Sequence, residues 1–386
     1  MVRWCGFYLY GKSLDNSKMK SMNDRQFLSR MAGYFLVFFM SVCLFSCDLN
    51  NAHAGTSRSQ ADDYPLLESV EIPIDTVLFR YATYFRVQGD KVVIFDLHNS
   101  DYFCHTFTYP EFKYISSFGK RGEGPNEILI ADNIRWAGEE EMWVLDNAKN
   151  RMTRYSGIAR GKTPKLEEHV KLEQTLMRAL DFDVYNKGQV VIPDYSGEKR
   201  FSWMDLSSGK LHHKWMEIPM GNKTILKNNP YAAAAGWRSF MAFTPDKKRL
   251  VTVNQFADRL DIYQVADGAL VTTVGSENKE PRFEISSKGY GIPSGGICHY
   301  DVQVTNRYIY TIYDGRSFKE TQGLGSGYRQ GGQLFRIYTH KGELLKGYKL
   351  DRCIAGIYVD ESTGILYGLD VNADEQVVKF SEFRLP

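Results

Sequence analysis

A short apolar run that ends in Asp or Asn recurs six times in this chain, as Val92-Val93-Ile94-Phe95-Asp96, Met142-Trp143-Val144-Leu145-Asp146, Val190-Val191-Ile192-Pro193-Asp194, Leu250-Val251-Thr252-Val253-Asn254, Tyr308-Ile309-Tyr310-Thr311-Ile312-Tyr313-Asp314 and Ile365-Leu366-Tyr367-Gly368-Leu369-Asp370. The intervals between the closing residues are 50, 48, 60, 60 and 56. Short runs at so long a period match a four-stranded propeller blade with variable loops. A polar turn precedes several runs (Gln88-Gly89-Asp90, Asn186-Lys187-Gly188, Pro245-Asp246-Lys247), and a third strand follows each, at 102–108, 151–155, 201–206, 259–265, 333–338 and 376–383. Pairs such as Ser208-Gly209, Asp267-Gly268 and Lys341-Gly342 then suit tight hairpins into a fourth strand. The expectation is an all-β fold, a six-bladed β-propeller with four-stranded antiparallel blades over residues 64–386. A β-sandwich would space its turns more closely, and a seventh blade would need a further run where the 60-residue gaps hold loop-like sequence.

The sixth unit stops after its third strand, and the chain ends at Pro386. The stretch Leu67-Glu68-Ser69-Val70-Glu71-Ile72-Pro73-Ile74 has strand character but no unit of its own. Because a ring with an open seam exposes strand edges, residues around 66–75 are expected to complete the last blade and close the ring. Composition agrees with an all-β chain: 24 Tyr and 23 Phe favour strands. A net charge of +2 with scattered basic residues argues against nucleic acid as a partner.

The N-terminus reads as a targeting segment rather than as fold. Lys18, Lys20, Arg25 and Arg30 precede an apolar run over 32–46, which closes in Leu44-Phe45-Ser46-Cys47. That ending is similar to a lipobox, so residues 1–47 are expected to be a signal peptide with Cys47 as the lipidated residue. An ordinary signal peptide or a short anchor is the alternative, and Met19 or Met22 is an alternative start. Residues 48–63 are polar and suit a flexible tether. The expected address is the cell envelope, at the outer membrane or cell surface, held by lipid on Cys47. Beyond it only Cys104, Cys298 and Cys353 remain, an odd scattered count that favours buried thiols, with one pairing left open.

Between the first two units lies Phe118-Gly119-Lys120-Arg121-Gly122-Glu123-Gly124-Pro125-Asn126-Glu127-Ile128, a connector stiffened by Pro125 and freed for positive φ by its glycines. With the period, the lipobox and this phrase together, the chain resembles the bacterial TolB-like six-bladed β-propeller lipoproteins. In that family a phrase similar to Gly-Arg-x-Gly-x-Gly-Pro-x-Glu follows the first blade. Lys120 stands here where the family usually has arginine, with Arg121 directly after it. The resemblance spans residues 64–386 and implies an envelope-anchored propeller with no defined reaction.

In that architecture the fourth-to-first and second-to-third connections share one face. The long connectors 119–131, 219–237, 275–298 and 315–332 would then lie together on it, the usual place for binding. Arg80, Arg178, Arg238 and Arg352 fall in register at the starts of the innermost strands, and His299 and Tyr300 open the fifth. A funnel of guanidiniums with Trp237, Tyr300 and Tyr290 would suit an anionic or sugar-like ligand. The competing reading pairs each arginine with an acid between blades. Arg121 has the same two options, pairing with Glu127 or reaching the funnel. No cofactor or metal is expected: His212 and His213 point to opposite faces of a strand, and His98, His105 and His299 lie on different units. Gly325-Ser326-Gly327 lacks the strand-to-helix elbow of a hydrolase serine. The function expected is a binding or scaffold module for a glycan, peptide or protein. The alternative is a lyase or hydrolase using His299, Tyr300 and the funnel arginines.

Overall fold

The computed structural model of the chain describes residues 63–158, 163–173, 180–275, 279–287, 291–381 and 383–386. Cys47 with the targeting segment, the tether up to residue 62, Arg178 and Tyr290 lie outside them. Two short strands, β1 (Leu66–Leu67) and β2 (Val70–Glu71), precede the repeating units. Blade 1 holds β3 (Ala82–Gln88), β4 (Lys91–Asp96), β5 (Tyr102–Thr108) and β6 (Tyr114–Lys120). Blade 2 holds β7 (Ala131–Trp136), β8 (Met142–Asp146), β9 (Arg151–Ser156) and β10 (Lys165–Lys171). Blade 3 holds β11 (Asp183–Asn186), β12 (Gln189–Pro193), β13 (Phe201–Asp205) and β14 (Leu211–Trp215). Helices α1 (Lys223–Asn228) and α2 (Pro230–Gly236) lead into blade 4, with β15 (Ser239–Phe243), β16 (Arg249–Asn254), β17 (Arg259–Gln264) and β18 (Leu270–Val274). A hairpin, β19 (Phe283–Ile285) with β20 (Gly291–Pro293), then precedes blade 5, formed by β21 (His299–Val304), β22 (Ile309–Tyr313), β23 (Gly332–Tyr338) and β24 (Leu344–Ile354). The short helix α3 (Phe318–Gly323) fills the loop between β22 and β23. Blade 6 holds β25 (Gly356–Asp360), β26 (Ile365–Leu369) and β27 (Val377–Phe380). Within each blade the strands are antiparallel neighbours in chain order, and the first strands of consecutive blades touch all the way round, β25 meeting β3.

The recurrent apolar runs are the second strands, and their burial explains why they do not alternate. Val92 and Ile94 on β4 pack with Tyr367, Leu369 and Val377 of blade 6, while Val93 and Phe95 pack with Ile134 and Val144 of blade 2. A strand with a blade on both faces needs apolar side chains at every position. The same arrangement buries Trp143 and Leu145 against Phe182 and Ile192, and Val191 against Met241 and Phe243.

The ring closes through the N-terminal segment, and closure differs in detail from the expectation of one completing strand. Val70–Glu71 does supply the fourth strand of blade 6, pairing antiparallel with β27 as Val70↔Lys379 and Glu71↔Val378. Leu66–Leu67 instead joins blade 5 as a fifth, parallel strand on β24. One segment therefore staples two blades. Ser69 donates its N–H and its hydroxyl to Asp351 Oδ2, each at 3.0 Å, and Arg352 Nη2 meets Glu71 Oε1 at 2.9 Å beside it.

Around the axis, each innermost strand has an unpaired edge, and side chains of the preceding blade satisfy much of it. Asp181 and Asp183 accept the amides of Met241 and Phe243 at 2.8 and 2.7 Å, and Asp301 and Gln303 accept those of Ile357 and Val359 at 3.1 and 2.6 Å. Arg86 and Arg135 donate through Nε to the carbonyls of Ile134 and Phe182 at 3.0 and 2.7 Å. Gln376 Oε1 accepts the Ala82 amide at 2.9 Å and brings the sixth blade to the first.

The acids that close the first two apolar runs each join two loops on one face. Asp96 is fully buried and accepts the amides of Arg80 and Tyr81, in the segment entering β3, at 2.7 and 2.9 Å. It also accepts those of His98 and Asn99, in the loop after β4, at 3.0 and 3.1 Å. Asp146 repeats the pattern with Leu129, Ile130 and Lys149. Asp96→Ala leaves four amides without an acceptor, so the expected loss is roughly 2–4 kcal/mol of stability, read from urea unfolding followed by tryptophan fluorescence. An unchanged midpoint would show that the two loops hold without it.

Candidate functional site

The axial channel is filled at depth by a buried charged network. Arg135 Nη2 pairs with Asp181 at 2.7 Å and also donates to the Met241 carbonyl at 2.7 Å. Asn133 bridges the network, donating to Asp181 at 2.6 Å and accepting from Arg86 at 2.9 Å. Burial lifts the Asp181 carboxyl to about 6 against the pull of the Arg135 and Arg86 charges, and lowers the Arg86 guanidinium to about 10. Breaking a buried pair of this kind leaves an uncompensated charge, worth about 3–5 kcal/mol. The network is a plug.

Above the plug, on the face that carries Asp96 and the long connectors, three innermost strands are bulged at the same place. Pairing runs from Ala82↔Asp96 to Tyr84↔Phe95, from Ala131↔Asp146 to Asn133↔Leu145, and from His299↔Tyr313 to Asp301↔Ile312. Thr83, Asp132 and Tyr300 are the extra residues. A bulge takes one residue out of the two-face alternation and re-aims its side chain. Groups from non-adjacent blades influence one another electrostatically here. Burial lifts the Asp132 carboxyl (blade 2) well above the carboxylate range, against the pull of Arg238 (blade 4). Burial likewise raises the Tyr195 phenol between them, whose oxygen accepts the Leu180 amide at 3.1 Å. Tyr300 on blade 5 is raised by burial, with Tyr328, Asp314 and Tyr81 of blade 1 in range.

Of the arginines expected to form a funnel, those among the described residues are dispersed. Arg238 is at the mouth, its Nε on Gln255 Oε1 at 2.6 Å and its guanidinium over the Phe256 ring. Arg80 is exposed and lines a separate cleft of about 340 Å³ on blade 1, with Asn99, Asp101, Tyr102, His105 and Tyr114. Arg121 pairs with neither Glu127 nor the mouth. Its Nε and Nη2 hold the carbonyls of Asn99 and Leu97 at 2.7 and 2.6 Å, and it stacks on Phe103 at 3.9 Å. Arg352 joins Glu71 and Asp370 at the ring closure. Trp237 is buried beside Ile218, Met220 and Ala233, under the charges of Arg200 and Arg259. Register at a strand start fixes where a residue begins but not which way its side chain leaves. Thr83, Asp132 and Tyr195 were missed, and the first two carry no periodic signal because each is the residue that breaks the pattern.

The groups with catalytic potential are held in structural bonds. His299 is 1% exposed, and its Nδ1 faces the carbonyls of Asn254 and Ala257 at 3.0 and 3.2 Å, so that nitrogen carries the proton. Burial lowers His299 from 6.5 to about 4, against the partial pull of Asp258. His105, bonded through Nδ1 to Ser117 Oγ at 2.8 Å, is lowered by burial to about 4 as well. Cys104, Cys298 and Cys353 are buried free thiols. Among the described residues no group of three or more His, Cys, Asp or Glu is placed to hold a metal ion.

Both histidines bind a proton more weakly in the folded chain, so the unfolded chain takes up protons first as pH falls. The histidines' contribution to stability is full above pH 6.5 and is expected to fall by about 3 kcal/mol per histidine as pH approaches 4, while Asp181, lifted to about 6, takes up its proton first in the folded chain and offsets part of that loss. His299→Gln should remove one histidine's share from the dependence of the urea midpoint on pH; a pH profile parallel to that of the parent chain would mean that His299 is not a titrating group.

A family profile described as TolB-like 6-blade propeller-like matches residues 65–362. Nothing among the curated proteins matches the chain. Of the solved structures, a protein from Bacteroides fragilis NCTC 9343 described as exported shares 11% identity and superposes with a TM-score of 0.50, over 83% of this chain and 95% of its own. A member of the DUF4221 family from Bacteroides vulgatus shares 11% identity with a TM-score of 0.53, over 81% of this chain and 95% of its own. At that identity the two show a shared fold alone. With the profile covering five of the six second strands, the chain belongs to the TolB-like six-blade propeller family.

Proposed function

We propose that the chain is an exported, lipid-anchored propeller that acts as a binding or scaffold module, its ligand docking at the channel mouth on the loop-rich face. The observation that carries this reading is the contrast between plug and mouth. Arg135, Asp181, Asn133 and Arg86 bond one another at depth, while Thr83, Asp132 and Tyr300 stand at the bulges toward the loop-rich face, with Arg238 and Tyr195 in electrostatic range of Asp132. Two of the long connectors, 219–237 and 275–298, pack together. Helix α2 packs on the β19–β20 hairpin, with Phe283 so close to Gly236 that an added Cβ would lie 2.6 Å from its ring. Export is supported by the lipobox-like Leu44-Phe45-Ser46-Cys47 and by the description of the Bacteroides fragilis protein. A lyase or hydrolase reading has less beneath it, since His299 already spends Nδ1 on two carbonyls and is neutral across ordinary pH.

Two measurements test the reading. The full chain in detergent, passed over immobilised saccharides and peptides, is expected to retain at least one ligand specifically and release it unaltered. Release of a cleaved product would turn the assignment to catalysis. In cells, Cys47→Ala is expected to abolish fatty-acid labelling and to move the protein from the membrane pellet to the soluble fraction. A labelled, pelleted variant would remove the lipid anchor from the account.

A further inference from the structure

We propose that His212 and His213, side by side on the outer strand of blade 3, form a two-nitrogen site for copper(II). The site stands apart from the channel mouth and is independent of the ligand reading above.

Sequence spacing put the two rings on opposite faces of a strand, and the structure overturns that expectation. Strand β14 pairs with β13 as Phe201↔Trp215, Ser202↔Lys214 and Trp203↔His213, and then jumps to Met204↔Leu211. His212 is the residue left over. A bulge takes one residue out of the two-face alternation, and here it swings His212 to the side of its neighbour. The ring centroids lie 4.9 Å apart, and the two Nδ1 atoms are separated by 2.7 Å. Both residues are exposed, so an ion can reach them from solvent. His213 is also braced from behind, its ring stacked on Trp203 with centroids 5.6 Å apart and planes at 13°. Trp203 is itself buried against Tyr185 and Phe243. One donor is thus held in place before any ion arrives.

Two ring nitrogens this close cannot both present lone pairs to one another. A proton or a metal ion has to lie between them, and the spacing selects the metal. With metal–nitrogen bonds of about 2.0–2.1 Å, nitrogens 2.7 Å apart subtend roughly 80° at the ion. That is close to the cis angle of a square-planar or tetragonal ion and well short of the tetrahedral angle of zinc(II). Imidazole suits copper, and copper(II) heads the affinity order of the divalent first-row metals. Among the described residues no third His, Cys, Asp or Glu joins the pair, so water fills the remaining positions. The local charge also favours a cation. Glu173 accepts the Leu211 amide at 2.8 Å, one residue along the strand, and Lys214 on the other side is neutralised by Asp194 and Glu198 at 3.4 and 2.9 Å.

The test titrates the full chain in detergent, freed of metal with EDTA, with copper(II), nickel(II) and zinc(II) chlorides in a calorimeter. One copper(II) per chain is expected, bound more tightly than either competitor. Its electron paramagnetic resonance spectrum should be tetragonal, with splitting from two nitrogens. His212→Gln and His213→Gln are each expected to weaken copper binding at least about tenfold, while His98→Gln, at an exposed histidine of blade 1, leaves it unchanged. Melting temperatures should hold in all three, since the side chains lie at the surface; the spectrum of the parent chain stands as a test even if a variant folds poorly. Parent-like copper binding in either single variant overturns the proposal, as does a spectrum with one nitrogen. A parent chain that binds copper(II) no more tightly than the chain with both substitutions shows that the pair shares a proton only. Tighter binding of zinc(II) than of copper(II) contradicts the cis geometry and overturns it too. None of these outcomes touches the ligand reading of the channel mouth.

Discussion

A strand that faces the axis of a ring has one edge with no sheet beyond it. Its amides and carbonyls must find partners or carry the cost of burial unmet, about 1–3 kcal/mol for each group. This chain meets the demand with side chains from the blade before: Asp181 and Asp183 for blade 4, Asp301 and Gln303 for blade 6, and Arg135 for blade 3. Those groups are charged or strongly polar, so packing them around one axis obliges them to neutralise one another. The Arg135–Asp181 pair and the Asn133 bridge are the result. The channel is closed because the edges of its walls had to be satisfied, and whatever the protein binds at its axis is kept near the rim.

The same economy explains the connector between blades 1 and 2. Gly119 and Gly122 adopt φ of +70° and +155°, and a Cβ on Gly122 would lie 2.0 Å from Glu127 Oε2. Glu127 in turn accepts the Gly124 amide at 3.0 Å and pairs with Lys120 at 2.8 Å. From blade 2, Lys149 donates to the carbonyls of Gly124 and Glu127 at 2.7 and 2.6 Å, and Arg151 to those of Pro125 and Glu127 at 2.9 and 2.6 Å. From the connector, Arg121 reaches back to the Leu97 and Asn99 carbonyls of blade 1. The connector is therefore a clasp between two blades, and Arg121 is spent on backbone.

Much of this was legible in the sequence, and the limits have physical causes. Second strands packed on both faces produce unbroken apolar runs, so Val92-Val93-Ile94-Phe95 and its counterparts announced the blades by themselves. The acid that closes the first run acts locally, Asp96 accepting amides close to it in sequence. Strand β1 was not separable from β2, since two residues carry no period and its partner lies in another blade. In the 219–237 connector α2 packs against the β19–β20 hairpin and α1 against α2, and neither helix is long enough to carry an amphipathic pattern of its own. The mouth was least legible of all. Register put Arg80, Arg238 and Arg352 at equivalent positions, but a local bend decides which side chain meets the axis, and such a bend writes nothing into the spacing.

The staple made by β1 and β2 also sets an order on folding. Leu66 pairs with Lys349 and Val70 with Lys379, partners from nearly opposite ends of the chain. Loops of that length close slowly, and pairing waits until both ends are present. The segment that emerges first is thus the last to find its place. Until then β27 keeps an unpaired edge, the form of surface that recruits a second chain. A lipid on the near end of that same segment would hold molecules side by side during that interval, so the step that completes the ring is also the step at which neighbouring molecules could exchange their first strands.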